Sequence, residues 1–272
     1  MRGKTVLRLP DSSCLEDFWL TLAAAPRAAL LLDYDGTLAP FHIDPAQARP
    51  YPGVEALLNR IGRLADDRLI IVSGRWLQDL RPLLALDFEP EMWGCHGRER
   101  RLPDGRHSLL PLSEAAVQAL AEAEGWVATV CALGGRVERK PGSLAFHWRG
   151  LAPGHQRSLR RDLEARFATL AQAGELLWHE FDGGIELRAA GCDKGQVVRQ
   201  VLAQQDAGPP GCVAYLGDDH TDEDAFRALQ GRGLCVLVRP KWRTTAADVW
   251  LRPPEGLREF LARWADIRER AR

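Results

Sequence analysis

The sequence lacks several features that mark particular classes of protein. Its six cysteines form no Cys-x-x-Cys pair and show no metal-like clustering with histidine, which favours free thiols in a reducing compartment. No stretch approaches the roughly 20 apolar residues of a membrane helix, and residues 1–10 lack the apolar core of a signal peptide. The formal net charge of −1 provides no basic field for nucleic acid or an anionic membrane. We therefore expect a cytoplasmic monomer without nucleic-acid or membrane partners.

Lysine is also scarce. Of the 36 basic residues only four are lysines, at positions 4, 140, 194 and 241. Lysine is a compact point charge that the planar fork of arginine does not replace. Each of these lysines is therefore a candidate for a specific role.

Apolar runs alternate with amphipathic stretches in the first and last parts of the chain. Leu30–Leu32 and Leu69–Val72 predict buried strands, and Val54–Leu64 predicts a helix between them. The alternation resumes with a helix opened by Lys194 and a strand at Val213–Leu216. This order indicates an α/β fold with a doubly wound, parallel, Rossmann-like sheet.

The pattern changes in the middle of the chain. The strand–helix alternation gives way to two helical stretches and two hairpins. The first helical stretch is predicted as one helix over Glu114–Leu133. Such an order is typical of a small α+β domain with an antiparallel sheet. Because the α/β pattern resumes afterwards, we predict a core formed by residues 1–103 and 190–272, with residues 104–189 inserted as a second domain.

Polar side chains follow three of the predicted core strands where each strand ends: Asp33 and Asp35, then Ser73, then Asp218 and Asp219, with Lys194 at a helix start. Ligands bind open α/β sheets at the carboxyl ends of the strands, so these groups can meet in one crevice. Clustered carboxylates repel each other unless a cation joins them, and their oxygens suit magnesium. Such a set can transfer a phosphoryl group by aspartate attack and proton transfer. An ordinary Asp-Gly-Thr turn is the simpler alternative for residues 33–37.

Four ordered motifs resemble those of the haloacid-dehalogenase-like phosphatases: Asp33-Tyr34-Asp35-Gly36-Thr37-Leu38, Ser73-Gly74-Arg75, Lys194-Gly195 and Gly217-Asp218-Asp219-His220-Thr221-Asp222-Glu223-Asp224-Ala225-Phe226. The resemblance implies Asp33 as the nucleophile and Asp35 as the general acid/base. It also implies that Ser73, Gly74 and Lys194 bind the phosphate. An acid at position 35 favours a phosphatase or a mutase, because the pump ATPases of this superfamily carry threonine there.

The same resemblance implies Mg²⁺ as the cofactor. Its ligands would be the Asp33 carboxylate, the backbone carbonyl of Asp35 and the Asp218 carboxylate, with Asp219 and Asp222 in support. Arg75 either supports the phosphate or pairs with an acid, and the sequence leaves both possibilities open.

Further stretches resemble the trehalose-6-phosphate phosphatases: Gly94-Cys95-His96-Gly97-Arg98-Glu99, Glu138-Arg139-Lys140, His147-Trp148-Arg149 and Gly184-Ile185-Glu186-Leu187-Arg188. This resemblance spans nearly the whole chain from about residue 28, and it implies that the insert is a sugar-phosphatase cap. By the same resemblance Glu138, Lys140 and Glu186 would contact sugar hydroxyls. His96 and Gly97, which follow a predicted strand, are expected beside the substrate. A solvated hairpin face is the alternative for Glu138 and Lys140.

The reaction that these resemblances imply is Mg²⁺-dependent hydrolysis of trehalose 6-phosphate through an aspartyl-phosphate, so the expected partner is a small sugar phosphate. A related phosphatase for another glycosyl phosphate, such as a mannosylglycerate or sucrose phosphate, is the nearest alternative. A phosphomutase is a different class and would release no free phosphate. A non-catalytic sensor is a third class, and the presence of both Asp33 and Asp35 counts against it.

Overall fold

In the computed structural model, which describes residues 6–7, 12–172, 174–181, 183–209 and 211–271, the chain divides into two compact units. The first combines the chain up to Ser108 with the chain from Asp193 onward, and the second is Leu109–Cys192. Residues 1–5 and 8–11 of the predicted core lie outside the described residues. None of the described helices has the length and apolar character needed to span a membrane.

The described strands, numbered along the chain, are β1 (Val6–Leu7), β2 (Arg27–Asp33), β3 (Asp67–Val72), β4 (Glu91–Gly94), β5 (Glu99–Arg101), β6 (His107–Leu109), β7 (Arg136–Lys140), β8 (Ser143–His147), β9 (Leu176–Phe181), β10 (Gly184–Ala189), β11 (Gly211–Gly217), β12 (Leu234–Val238) and β13 (Val249–Leu251). The described α-helices are α1 (Ser12–Ala24), α2 (Val54–Gly62), α3 (Leu77–Leu80), α4 (Glu114–Glu124), α5 (Val127–Ala132), α6 (Pro153–Ala171), α7 (Lys194–Asp206), α8 (Glu223–Leu229) and α9 (Glu255–Arg270).

The first unit is built on a sheet whose described strands run in the order β1-β13-β12-β11-β2-β3-β4-β5-β6. Its centre is parallel, with Leu32 opposite Leu216 in β11 and Asp33 opposite Val72 in β3. The carboxyl ends of these strands therefore meet at one edge, where polar side chains follow them. This arrangement confirms the predicted α/β, doubly wound fold.

Both faces of this sheet are covered, which explains the unbroken apolar run in β2. Leu30 and Leu32 pack in a cluster that includes residues of α1, α2 and α9. Leu31 points to the opposite face, where it packs with residues of α7 and α8. All three leucines are fully buried, and truncating any of them to alanine would cost about 2–5 kcal/mol.

The hairpin formed by β5 and β6 belongs to this large sheet. β5 pairs antiparallel with β4, so that Gly94 lies opposite Glu99. The predicted insert boundaries at 103/104 and 189/190 consequently lie a few residues before the divisions between the compact units. Pairing with β4 keeps the hairpin turn at Pro103–Gly105 in the first unit, although the turn itself resembles those of the insert.

The second unit holds a four-stranded antiparallel sheet in the order β7-β8-β10-β9. Phe146 of β8 and Ile185 of β10 pack against Phe167 of α6 on one face. The predicted single helix over Glu114–Leu133 is wrong, because α4 ends at Glu124, Gly125 caps it, and α5 begins at Val127. Glycine is among the weakest helix formers. Asp182, which belongs to the expected turn between β9 and β10, lies outside the described residues.

Candidate active site

Three buried carboxylates come together at the carboxyl edge of the large sheet. One oxygen from each of Asp33, Asp218 and Asp222 lies within 4.8 Å of the others. Asp33 ends β2 and Asp218 follows β11, and these two strands are paired neighbours. Asp222 reaches the same point from the short 3₁₀ turn that precedes α8. The parallel pairing of β2 with β11 therefore brings together acids that are far apart in sequence.

The ammonium group of Lys194 lies inside this cluster. Lys194 is the first residue of α7, whose start is capped by the Asp193 side chain accepting from the Gln196 N–H at 2.7 Å. Its Nζ donates to Asp33 Oδ1 at 2.6 Å and to Asp222 Oδ1 at 2.7 Å. Burial alone would lower the pKa of Lys194, but the charges of Asp222 and Asp33 raise it above its usual value. The amine is thus held in its charged form.

Asp222 is held by hydrogen bonds on both of its oxygens. Besides Lys194, its Oδ1 accepts from the Tyr215 hydroxyl at 2.7 Å. Its Oδ2 accepts from the backbone N–H groups of Asp218 at 3.1 Å and Asp219 at 3.0 Å. This pattern fits the supporting role expected for Asp222, since its oxygens already hold the Asp218–Asp219 turn. Tyr215 was not predicted, although a tyrosine in an otherwise aliphatic buried strand was a usable signal.

Negative charge exceeds positive charge in this cluster. Burial, the Asp222 charge and, more weakly, the Asp35 charge raise the pKa of Asp33, while Lys194 opposes them. Burial and the charges of Asp33 and Asp222 raise the pKa of Asp218 well above its usual value. Asp33 Oδ2 is buried and makes no hydrogen bond. A set of carboxylate oxygens with too little positive charge and one free buried acceptor fits Mg²⁺.

Gly36 allows the first and last motifs to meet. Its φ of +83° lies in the left-handed region that favours glycine. A Cβ atom at this position would lie only 2.1 Å from Asp218 Oδ2. A side chain here would therefore both strain the turn and displace the Asp218 carboxylate.

Arg75 forms an ion pair with the Asp35 carboxylate. Arg75 Nε donates to Asp35 Oδ2 at 2.7 Å and Nη2 donates to Oδ1 at 2.6 Å, which is a two-bond fork. Arg75 also donates from Nη1 to the Pro45 carbonyl at 2.8 Å and from its backbone N–H to Ser73 Oγ at 3.1 Å. Of the two roles left open for Arg75, the structure shows the pairing with an acid. Arg75 thereby ties the Asp35 turn to the Ser73 turn.

The predicted residues Ser73, Gly74, His96 and Gly97 lie in adjoining turns of the first unit. The His96 N–H donates to the Ser73 carbonyl at 3.0 Å, and a Cβ on Gly74 would lie 2.6 Å from the His96 ring. Gly97, with a φ of +103°, packs against the start of α7, where a Cβ would lie 2.9 Å from Val197. The Ser73 turn, the His96 turn and the helix that carries Lys194 are therefore in direct contact.

His96 itself adopts a backbone conformation that is rare for its residue type. Its φ of 57° and the φ of 48° at Cys95 both lie in the left-handed region, which costs about 1–3 kcal/mol per residue. The turn is held by the Cys95 N–H, which donates to the Arg75 carbonyl at 2.8 Å, and by buried Glu99, which accepts from the Leu77 N–H at 2.8 Å. Strain maintained in this way is common at functional sites.

A second polar cluster lies on the sheet of the second unit. Pairing sets Glu138 of β7 and Glu186 of β10 on either side of Ala145 in β8, so both carboxylates share one face. Lys140 Nζ donates to Glu186 Oε1 at 2.9 Å and lies 3.9 Å from Glu138 Oε1. Lys140 and Glu186 are largely buried, unlike the solvated hairpin face considered as an alternative.

Two residues that were not predicted complete this cluster. Ser143 Oγ donates to Glu186 Oε1 at 2.7 Å, and His147 Nε2 lies 3.2 Å from Glu138 Oε2. Burial alone would raise the pKa of Glu138, but the hydrogen bond with His147 and the charge of Lys140 lower it to about 2. Strand alternation in β8 places Ser143 and His147 on the face of Ala145, and this was the signal that could have found them.

Known proteins resemble this chain over most of its length. The model of the trehalose-phosphatase family matches residues 31–246. A trehalose-phosphate phosphatase from Mycobacterium marinum is 35% identical over 88% of this chain and 62% of its own length. One from Mycobacterium avium is 34% identical over 97% of this chain and 68% of its own length. The chain thus spans about two thirds of the length of these relatives.

Solved structures show the same fold. The C-terminal domain of trehalose-6-phosphate phosphatase from Candida albicans superposes with a TM-score of 0.78 at 22% identity, covering 96% of this chain and 99% of that one. A haloacid dehalogenase-like hydrolase from B. subtilis gives a TM-score of 0.60 at 14% identity, covering 86% and 98%. With the family match over most of its length and the ordered motifs gathered at one sheet edge, this chain belongs to the trehalose-phosphatase family.

Proposed function

We propose that this protein hydrolyses trehalose 6-phosphate to trehalose and inorganic phosphate, with Mg²⁺ as cofactor. The observation that carries the proposal is the environment of Asp33. Its Oδ1 is held by Lys194, whereas its buried Oδ2 makes no hydrogen bond. An oriented carboxylate at the carboxyl end of a parallel strand is the group that phosphoryl transfer by covalent catalysis needs.

In the proposed reaction a carboxylate oxygen of Asp33 attacks phosphorus, and the bond from phosphorus to the sugar oxygen breaks. Asp35 gives its proton to the departing sugar oxygen. It then takes a proton from the water that attacks the aspartyl-phosphate, so that Asp33 is released with inorganic phosphate. The two-bond fork of Arg75 holds Asp35 as the carboxylate that takes the proton in the second step, and one of these bonds has to open for Asp35 to carry the proton that it gives in the first step.

The remaining groups of the first unit would hold the phosphate. Lys194 contributes a fixed positive charge, and Ser73 and Gly74 contribute a hydroxyl and a backbone N–H. Mg²⁺, when bound to Asp33, Asp218 and the Asp35 carbonyl, would supply further positive charge to the phosphoryl group. Asp222 and Asp219 would hold the turn that carries Asp218.

The polar cluster of the second unit is the proposed sugar-binding surface. Glu138, Lys140 and Glu186 present two acceptors and one donor, and the hydrogen bond between Lys140 and Glu186 and the ion pair between Lys140 and Glu138 can be exchanged for bonds to sugar hydroxyls. Buried polar groups of this kind penalise a substrate that leaves them unpaired. His96 and Gly97 are proposed to contact substrate from the first unit.

The direct test measures phosphate release from a panel of sugar phosphates, with Mg²⁺ and with a chelator. We expect turnover of trehalose 6-phosphate that requires Mg²⁺ and that Asp33→Asn reduces by at least about 10³-fold, since removal of a nucleophile leaves only residual catalysis. Asp224→Asn is the matched control, because Asp224 lies on α8 outside the cluster of Asp33, Asp218 and Asp222. This variant should retain activity.

Other outcomes of the panel separate the parts of the proposal. Strong turnover of a different glycosyl phosphate, with none of trehalose 6-phosphate, would contradict the substrate but keep the reaction class. Phosphate release by Asp33→Asn at the wild-type rate would contradict the nucleophile. Conversion of one sugar phosphate into another without free phosphate would indicate a mutase.

A further inference from the structure

Two arginines outside the recognised motifs bind the backbone of the Asp218–Asp219 turn. Both lie in the loop between β12 and β13. Arg239 Nη1 donates to the Asp218 carbonyl at 3.3 Å, and Arg243 Nε donates to the same carbonyl at 3.4 Å. Arg243 Nη2 donates to the Asp219 carbonyl at 2.7 Å. A single guanidinium therefore spans two successive carbonyls of this turn.

Arg243 is itself held in place. Its Nη1 donates to Glu223 Oε1 and, at 2.9 Å, to the Thr244 carbonyl. Glu223 also accepts from the Ala246 N–H at 2.9 Å, so this first residue of α8 is joined to the loop on both sides of Thr244. The Arg243 side chain is 13% exposed and that of Glu223 is 9% exposed. The guanidinium is thus part of a largely buried network, and such networks fix position well.

The loop has a second anchor on the sheet. The Asp248 carboxylate accepts from the Cys235 N–H at 2.8 Å, and the Asp248 N–H donates to the Cys235 carbonyl at 2.8 Å. Trp250 Nε1 donates to the Arg239 carbonyl at 2.8 Å. Arg239 therefore starts from backbone tied to β13, and the loop that carries Arg243 is tied to β12 again at Asp248. Their side chains can transmit the rigidity of the sheet to the turn.

The Asp218–Asp219 turn carries one of three crowded carboxylates, which must be ionised together to bind a cation. Asp33, Asp218 and Asp222 lie within 4.8 Å of one another at their oxygens, and like charges at this distance repel. Asp222 restrains the turn through two backbone N–H groups. Arg239 and Arg243 restrain the carbonyls of the same turn, so both kinds of backbone group at Asp218 and Asp219 are engaged.

We propose that Arg243, assisted by Arg239, is a positioning residue for the metal site. It fixes the Asp218–Asp219 backbone so that the Asp218 carboxylate stays against Gly36 and within reach of Asp33. This inference rests on the proposed Mg²⁺ site. It predicts that Arg243 raises metal affinity, although the positive charge of a guanidinium by itself repels a cation.

Calorimetric titration of Mg²⁺ into the intact 272-residue chain without substrate tests the inference, because losing the orienting bonds and losing the positive charge change the Mg²⁺ affinity in opposite directions. Loss of a group that orients a metal ligand typically weakens metal binding 10–100-fold. We expect about 10-fold weaker binding for Arg243→Met and for Arg243→Lys, because lysine keeps the charge but cannot span two carbonyls. Arg239→Met, which loses a single bond of 3.3 Å to the turn, should weaken Mg²⁺ binding less than Arg243→Met does.

Arg227→Met is the matched control, because Arg227 is an exposed arginine of α8 that pairs with Asp224. Its Mg²⁺ affinity should equal that of the wild type. In parallel phosphate-release assays, raising Mg²⁺ should return kcat of Arg243→Lys to near the wild-type value with an unchanged KM for substrate. Thermal unfolding in a chelator shows whether each variant is folded. If Arg243→Met does not fold, Arg243→Lys and Arg239→Met provide the test.

Three results would overturn the inference. Tighter Mg²⁺ binding by Arg243→Met, with wild-type binding by Arg243→Lys, would mean that only charge matters. Lower melting temperatures with unchanged Mg²⁺ affinity would mean a purely structural role. In both cases the wild type binds Mg²⁺, so the proposed function is unaffected. A wild-type protein that binds no Mg²⁺ would overturn the inference and the proposed cofactor together.

Discussion

The two polar clusters of this protein use the same types of residue with opposite electrostatic results. In the first unit, three buried carboxylates surround one lysine, and the pKa values of Asp33 and Asp218 are raised. In the second unit, Glu138 and Glu186 share Lys140 and His147, and the pKa of Glu138 is lowered to about 2. The first cluster therefore sets three carboxylates against one lysine and fits a cation, whereas the second sets two carboxylates against one lysine, with His147 bonded to Glu138, and fits neutral hydroxyls.

The largest expected effect comes from removing the lysine of each cluster. Lys194→Met should abolish phosphate release and destabilise the fold by about 3–5 kcal/mol, because it leaves buried carboxylates without their cation. Lys140→Met is the matched variant and should destabilise less, since His147 still pairs with Glu138. Urea unfolding of both variants measures the difference. Equal losses would contradict the contrast between a lysine shared by three carboxylates and a lysine shared by two.

The second prediction tests what the polar cluster of the second unit recognises. Glu186→Gln should lower kcat/KM for trehalose 6-phosphate by roughly 10–100-fold, because a hydrogen bond to a charged group contributes about 1.5–3 kcal/mol. Hydrolysis of a small aryl phosphate, which offers no sugar hydroxyls, should change little. Glu180→Gln on β9 is a control, since Glu180 pairs with Arg160 outside this cluster. An equal loss of kcat/KM on both substrates would mean that Glu186 supports the structure in general and does not recognise the sugar.

The third prediction concerns the acid side of the stability profile. The pKa of Glu138 is lower in the folded state, so its contribution is fully present above pH 4.5 and is lost as the pH falls toward 2. We expect that contribution to be on the order of 2 kcal/mol. Urea unfolding of the wild type and Glu138→Gln between pH 6 and pH 3 checks it. The difference between the two proteins should shrink as the pH falls, and a constant difference would contradict the assignment.

The smallest effect is expected from relieving the charge repulsion in the first cluster. Asp218→Asn should stabilise the protein in a chelator by about 1 kcal/mol, because it removes a buried charge whose pKa is raised. The same variant should gain less stability than the wild type when Mg²⁺ is added. Thermal unfolding with and without Mg²⁺ measures both changes. Destabilisation in the chelator would show that Asp218 is held by favourable contacts.

Much of the fold follows from local patterns. The apolar run at Leu30–Leu32 predicts a strand buried on both faces, and helices cover both faces of β2. Alternation in β7 predicts that Glu138 and Lys140 share a face, and they do. The break at Gly125 and the pairing of β5 with β4 were missed. The break depends on a single residue with low helix propensity. The pairing of β5 with β4 depends on which sheet has a free edge beside the hairpin.

The individual residues of the site were predicted better than the contacts between them. Asp33, Lys194, Asp218 and Asp222 were all chosen, and the structure brings them together. The partners that hold them were missed or left open, including Tyr215 on Asp222 and Arg75 on Asp35. Arginine is the commonest charged residue type of this chain, so nothing in the local sequence distinguishes a guanidinium that grips an acid from one that is solvated.

By itself the sequence determined which chemistry-bearing residues follow which strands, because strand ends and motif spacing are local properties of the chain. Only the tertiary structure decided the electrostatic character of each cluster. Whether three carboxylates share one lysine, or two share a lysine and a histidine, depends on strand pairing between segments such as β2 and β11 or β7 and β8. The reach of Arg243 back to Asp218 is decided in the same way, since a buried side chain takes its partner from packing rather than from its neighbours in sequence.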